Sequence, residues 1–451
     1  MRRFFLVVFF LCGLRAGAQF KVSVSAARPF KPNAEKGFFS YSNEWNDFLL
    51  FKRIENTEQI FGLVMTDDAD EILLTSDLRV ATQVGDNHFT LAGLALAGRN
   101  LTAFVQSHNR VTGRNVMAMQ AVDNKGGLTS EGMLVGYFDF RAPDDPGLWH
   151  IVSSPDRQHI ALIAQLPHEQ GKPQQFKYFF INENLTITHK GDFSIAGTEN
   201  DPLRLRYFLA SDKGELYLLT EGDARNFYFP AIYSVSVQTE QCNPMPLRGA
   251  GAGQMECGAF RAVVDAEGQL TVAGYLRKGG QAPAVAVGAW SFSASGNQGL
   301  RTGLFEKPVA VLDAADLLTN GGFSFLIGRV SSGFHVTGLD ADGNKKFELP
   351  VKRGTGSAAE GTGVDLFNPE SGIAAGIIGQ KLCLVYNDRT AGGPSPLLLA
   401  VGADGRPDSP QDLGREVGAN ALLLPAFFSA NADHIVVPAQ TEAGVRIVTI
   451  R

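Results

Sequence analysis

Histidine is the first residue type to ask about, because imidazole serves both proton transfer and metal binding near neutral pH. The chain has eight: His88, His108, His150, His159, His168, His189, His335 and His434. None stands in an H-x-H or H-E-x-x-H pair, and none is spaced from a cysteine as a zinc ligand is. Each therefore reads as a turn or surface residue, and no metal site is predicted. Two acidic runs, Asp67-Asp68-Ala69-Asp70-Glu71 and Asp340-Ala341-Asp342-Gly343-Asn344, have the composition of calcium loops. Their glycine and terminal glutamate fall at the wrong offsets for an EF-hand, and hairpin turns account for both. There is no G-x-S-x-G nucleophile elbow and no P-loop. Gly249–Gly253 lacks the Lys-Ser/Thr pair and a strand-to-helix setting, so it reads as a flexible glycine loop. No catalytic residue and no cofactor is predicted. A glycosidase-type pair among the many carboxylates stays open.

Cys242 and Cys257 flank a glycine-rich stretch. A disulfide there would contribute about 3 kcal/mol in the chain-entropy picture. Two separate thiols fit the same spacing. Cys383 lies in the apolar run Lys381–Tyr386 and reads as a buried free thiol.

The cations show more pattern. Arg110, Arg114, Lys172, Arg225, Arg277, Lys278 and Arg389 fall in long segments between apolar runs, with His108, His168, Phe227 and Tyr228 among them. The candidate ligand-binding rim is Arg110, Arg114, His168, Arg225, Tyr228, Arg277 and Arg389. Turns assigned to the opposite face carry Asp156, Asp212, Asp265 and Asp342. One reading is an anion-attracting face for an acidic polysaccharide or acidic protein surface. The other is a set of solvated hairpins that collect arginine for solubility. The net charge of −6 falls to about −9 once Arg2, Arg3 and Arg15 leave with a cleaved leader, which disfavours general binding to nucleic acid or anionic membranes. Trp45, Trp149 and Trp290 could stack on sugars, but the last two sit in apolar runs where packing is expected.

The elements that must position these groups are strands. Trp149–Phe193 reads as four short strands: Trp149–Ser153, His159–Leu166, Phe176–Ile181 and Leu185–Lys190. Each run is rich in β-branched and aromatic residues, and each break carries turn residues. The rest of the chain repeats this unit. Second strands begin near Phe48, Leu101, His159, Leu216, Leu270, Phe323, Leu382 and Ile435, spaced 53 to 59 residues apart. A period of that length with four strands predicts an all-β fold, a single β-propeller of about eight four-stranded blades, with seven as the alternative. Units six and seven are the least regular. Val311–Thr319 is the best helix candidate, one or two turns long. The last unit lacks a fourth strand, and Phe20–Ser25 is an alternating strand without a unit. It is expected to supply that outer strand and close the ring.

Ser154-Pro155-Asp156…His159-Ile160-Ala161 resembles the S-P-D-G…I-A turn of bacterial exported β-propellers of the TolB type. Arg157 stands where that pattern has glycine. The resemblance implies a propeller fold and a habit of binding proteins or ligands, and it carries over no catalytic residue.

The N-terminus has the form of an export signal: Arg2-Arg3, the apolar Phe4–Leu14, and Ala16-Gly17-Ala18 before Gln19. The apolar run is too short to span a bilayer. The expectation is a leader over 1–18 and one domain over 19–451, exported to the periplasm, cell surface or medium as a monomer without a membrane span. Its function is expected to be a non-catalytic binding or scaffold module for an unknown protein or glycan partner. The alternative is a glycan hydrolase or lyase with carboxylates and arginine at the central axis, recognisable by convergent carboxylates with perturbed pKa values.

Overall fold

The computed structural model describes residues 20–451 apart from 28–34, 43–46, 56–57, 67–71, 81–82, 85–86, 110, 124, 126, 130–131, 141–144, 146, 197, 199–202, 221–230, 246–254, 280–281, 294–295, 321, 354–371, 391–392, 419–420, 426–427 and 432. The leader, the Asp67–Glu71 turn and the Gly249–Gly253 loop lie outside them. The described residues form eight antiparallel sheets, six of four strands and two of five, each built mainly from consecutive strands. We number the sheets one to eight in chain order. Among the described residues the one helix is Gly414–Val417, and no helix is long and apolar enough to cross a membrane.

The predicted second strands hold to within one residue. They start at Asp47, Asn100, His159, Glu215, Leu270, Phe323, Lys381 and Ile435. Several of these strands are buried along almost their whole length, as in His159–Gln165 and Leu270–Arg277. A strand apolar on both sides needs cover on both sides. The cover comes from eight apolar clusters, each spanning two successive sheets. Phe176, Tyr178 and Phe193 of sheet three meet Leu216, Leu218 and Val235 of sheet four. Trp290 and Val272 of sheet five meet Tyr217 and Leu219 of sheet four, so Trp290 is a packing residue. Val64 of sheet one meets Leu424, Val436 and Ile447 of sheet eight.

Val22–Val24 pairs with Gly444–Ile450, as the alternation at Phe20–Ser25 predicts. Lys21 and Arg451 exchange backbone hydrogen bonds of 2.9 Å each. The Ile447 N–H donates to the Ser25 hydroxyl at 3.0 Å. The first strand of the chain thus continues the last sheet.

One expectation is corrected, and of the two readings of Cys242 and Cys257 the structure has the unbridged one. Val311–Thr319 is a strand, not a helix. Its ladder slips twice, between Val311 and Asp313 and between Ala314 and Asp316. Such bulges add a residue without a partner. The second one puts Ala314 and Leu317 on the buried side, three apart, and so imitates a helical spacing. Cys242 and Cys257 are not bridged; both are free thiols, as is Cys383. Cys242 packs in the seam between sheets three and four, whereas Cys257 is buried in the next seam.

Deleting Phe20–Ser25 should lower unfolding free energy by about 3 kcal/mol, from half-buried Phe20, Val22 and Val24 and the bared edge. Urea unfolding of the two proteins measures this, and an unchanged midpoint would refute the role given to the strand.

Candidate functional site

Arg110, Arg225 and Tyr228 lie outside the described residues, and of Arg389 only the backbone is described, opposite Pro394 in a hairpin. The other three rim candidates lie on three different sheets, and each is engaged locally. Arg114 opens the third strand of sheet two, 3.4 Å from Asp139, with its guanidinium 4.8 Å above the Tyr137 ring. His168 donates its backbone N–H to Asp145 at 3.1 Å, and its Nε2 lies 2.8 Å from the Thr198 carbonyl oxygen. Arg277 ends the second strand of sheet five, paired with Glu256 and close enough to the Cys257 thiol to act on its charge.

The Asp340–Asn344 turn behaves as the hairpin reading predicts, and the Asp67–Glu71 run lies outside the described residues. The Asp340 carboxylate accepts the N–H groups of Asp342 and Asn344 at 3.1 and 2.8 Å, and Lys346 approaches it at 3.2 Å. A cation already faces that carboxylate. Some of the histidines differ from expectation. His335 is 4% exposed inside a strand, beside the Phe305 and Tyr275 rings. Burial pushes its pKa down and favours the neutral ring. His150 is likewise a strand residue, lowered by burial against an opposing bond to Gln165.

A cluster that sequence reasoning missed lies on the first strands of sheets four, five and six. Leu205–Ala210, Glu256–Val264 and Val311–Thr319 follow one another side by side. The Tyr207 hydroxyl donates to the Phe260 carbonyl oxygen at 3.2 Å and accepts from the Arg261 guanidinium. The same guanidinium lies 5.3 Å from the Tyr207 ring centroid, and its Nε donates to the Ala315 carbonyl oxygen at 3.1 Å. Asp316 follows at once. Its residue is partly exposed but its carboxyl is enclosed, and burial pushes its pKa up against the Leu317 N–H and the Arg261 cation. Asp313 is held by Arg329 through two hydrogen bonds of 2.8 and 2.5 Å. Bulges position these groups: the ladder slips between Leu205 and Tyr207, Cys257 and Ala259, and twice in the third strand. Bulges re-aim side chains in this way beside functional sites. One signal was available. Tyr207 and Arg261 are 54 residues apart, one repeat, and Asp316 falls close to one repeat further.

The second cluster lies in the turns between first and second strands. The Asp156 N–H donates to Asp212 at 2.9 Å, and Lys213 donates to the Glu267 carbonyl oxygen at 2.8 Å. The Gly98 N–H donates to the Arg157 carbonyl oxygen at 2.6 Å, so the turns of sheets two to five are linked in succession. Arg157 has φ of 57°, matching the left-handed Gly214 and Gly268 of the next two turns. The motif's glycine position keeps its conformation with an arginine in it, at a cost of about 1 kcal/mol. The guanidinium offsets this by donating to the Ala430 carbonyl oxygen of sheet eight at 2.7 Å.

The sequence matches no protein-family model and no curated protein. Among solved structures the chain is similar to an uncharacterised protein of Listeria monocytogenes EGD-e, with TM-score 0.41 and 9% identity over 79% of this chain and 90% of that one. It is similar to the polysaccharide lyase Uly1 at TM-score 0.46 and 12% identity, over 84% and 91%. It is also similar to the β-propeller domain of the Trilobed protease from Pyrococcus furiosus at TM-score 0.40 and 7% identity, over 84% and 98%.

Tyr207→Phe should cost about 1–2 kcal/mol in urea unfolding, since it removes one donor and one acceptor of a partly buried network. Asp316 binds its proton more tightly folded than unfolded, so its contribution to stability is lost as pH rises through the folded-state pKa. Asp316→Asn should therefore gain stability relative to wild type as pH rises above the ordinary aspartate value of 3.8. A constant difference between the two proteins would refute the raised carboxyl.

Proposed function

We propose that this chain is an exported eight-bladed β-propeller, closed by its N-terminal strand, that works as a non-catalytic binding or scaffold module. The contact of sheet eight with sheet one supports the ring, and so does the pairing of Val22–Val24 with the last strand. The observation that carries the binding reading is the commitment of the reactive groups on the first strands. Arg261 spans three sheets through Tyr207 and Ala315, and Asp313 is neutralised by Arg329. These groups join seams and leave recognition to the loops. The ligand we assign is an acidic glycan or an acidic protein surface, taken on the loops between second and third strands, with Arg110, Arg225 and Arg277 as its main contacts.

One observation favours a second reading, a glycan hydrolase or lyase. The enclosed Asp316 carboxyl beside the Arg261 cation and the Tyr207 phenol has the components of acid–base chemistry.

The two separate on a panel of acidic polysaccharides at low and physiological salt, using residues 19–451. The binding module should retain a polysaccharide unchanged in length. Retention should weaken about tenfold in the Arg110→Ala, Arg225→Ala, Arg277→Ala triple variant, from three ionic contacts to the ligand of about 0.5 kcal/mol each. Retention insensitive to salt and to the triple variant would refute the rim. Chain cleavage abolished by Asp316→Asn would establish the enzyme instead.

A further inference from the structure

We propose that the hairpin turns of sheets three and four form a proton-operated clasp, in which one proton held between Asp156 and Asp212 joins the two sheets and its release to solvent loosens the seam.

The geometry singles out this pair. The Asp156 N–H donates to the Asp212 carboxyl at 2.9 Å, although the two come from turns 56 residues apart, and this sets the two carboxyl groups close enough to hydrogen-bond through one proton. Two carboxylates can share such a bond only while one holds a proton. The sharing is asymmetric, because Asp156 already has two donors on its Oδ1. Its Oδ1 receives the Ser154 hydroxyl at 2.5 Å and the Gln158 N–H at 2.9 Å. His159 Nδ1 stands 4.0 Å from the same oxygen. Burial works upward on Asp156, but these donors and Asp212 hold its carboxyl low. Burial and the Asp156 charge push Asp212 up to about 6. Asp212 is therefore the residue that carries the proton.

Apart from His159, the neighbouring charges are directed elsewhere. On its own turn, Arg157 directs its guanidinium to Ala430 of sheet eight. Lys213, beside Asp212, lowers it only as the last of its causes and donates to the Glu267 carbonyl oxygen of sheet five. Glu215 follows on the turn of sheet four, itself raised by burial. On the side of sheet two, Glu183 lies against Gly98, with Arg99 next in the chain.

Release of the proton changes two contacts together. The carboxyl–carboxyl bond is lost and replaced by repulsion between like charges. The Asp156 N–H bond to Asp212, which remains possible, then has to hold the turns against that repulsion. The same turn receives the Gly98 N–H and sends Arg157 to sheet eight, so loosening there reaches the neighbouring sheets.

Two measurements on the full mature chain test the clasp. The first is a carbon-13 NMR titration of the Asp212 carboxyl, expected to have its midpoint near 6. A midpoint near 4, the ordinary aspartate value, would overturn the proposal. The second is hydrogen exchange of the peptides over 153–160 and 209–216 at pH 5 and pH 7.5, corrected for intrinsic rates. A pKa raised from an ordinary aspartate's to about 6 corresponds to at most about a hundredfold change in opening, and exposure of the turns reduces it, so protection should be about tenfold greater at pH 5. In Asp212→Asn, which keeps a neutral donor, protection should stay high at both pH values. Equal protection at the two pH values in the wild type, or an undiminished pH response in the variant, would overturn the proposal. The titration uses the unaltered protein, so it decides even where the variant folds poorly. None of these readouts depends on the ligand of the loop face.

Discussion

The constraint on which the structure depends is that a sheet apolar on both faces cannot stand alone. Among the residues whose burial is described, the second strands are buried on both sides, from Ile160–Ala164 to Val436 and Val437. Each sheet therefore needs a neighbour on either side. Eight apolar clusters meet that need, one for each pair of successive sheets and one for the last with the first. An exposed end sheet would leave a face of Val, Ile and Phe in water, at about 25 cal/mol for each Å². Stacking in series follows from the burial pattern rather than from any single contact.

Apolar faces slide over one another easily, and direction comes from polar links at the seams. Arg261 ties the first strands of sheets four, five and six, and Lys345 of sheet six donates to the Leu304 carbonyl oxygen of sheet five at 2.6 Å. On the turn face, Gly98, Arg157, Asp156, Asp212 and Lys213 form a succession of bonds from one hairpin to the next. Arg157 shows how much such a link is worth. The turn holds a residue with a side chain at a left-handed φ, and its guanidinium reaches a sheet 273 residues further along the chain.

Much of the fold was legible in the sequence, because periodicity and turn residues are local signals. Second strands fell within one residue of their predicted starts, and the unpartnered alternation at Phe20–Ser25 pointed to its pairing with the last strand. The Val311–Thr319 strand was misread because a bulge shifts strand alternation into a helical spacing. Little of the candidate cluster was legible. Tyr207, Arg261 and Asp316 look unremarkable where they stand, and only bulged backbones one repeat apart bring them together. His335 was misread for a related reason: burial by neighbouring sheets leaves no mark on the residues beside it in the chain. The rim arginines are drawn from loop composition, with Arg114 and His168 held by local partners and Arg277 near the Cys257 thiol.

The first strand of the chain completes the last sheet, and one cross-link tests that pairing directly. Ser23 and Thr449 are opposite one another in the antiparallel pair. Opposed residues in such a ladder have their Cα atoms about 4.5–5.5 Å apart, within reach of a disulfide. Ser23→Cys with Thr449→Cys should therefore join under mild oxidation, as a single linked peptide pair by mass spectrometry, and the oxidised protein should unfold at a higher urea concentration than the reduced one. Failure of the two cysteines to join, or a linked protein that unfolds earlier, would contradict closure of the last sheet by the N-terminal strand.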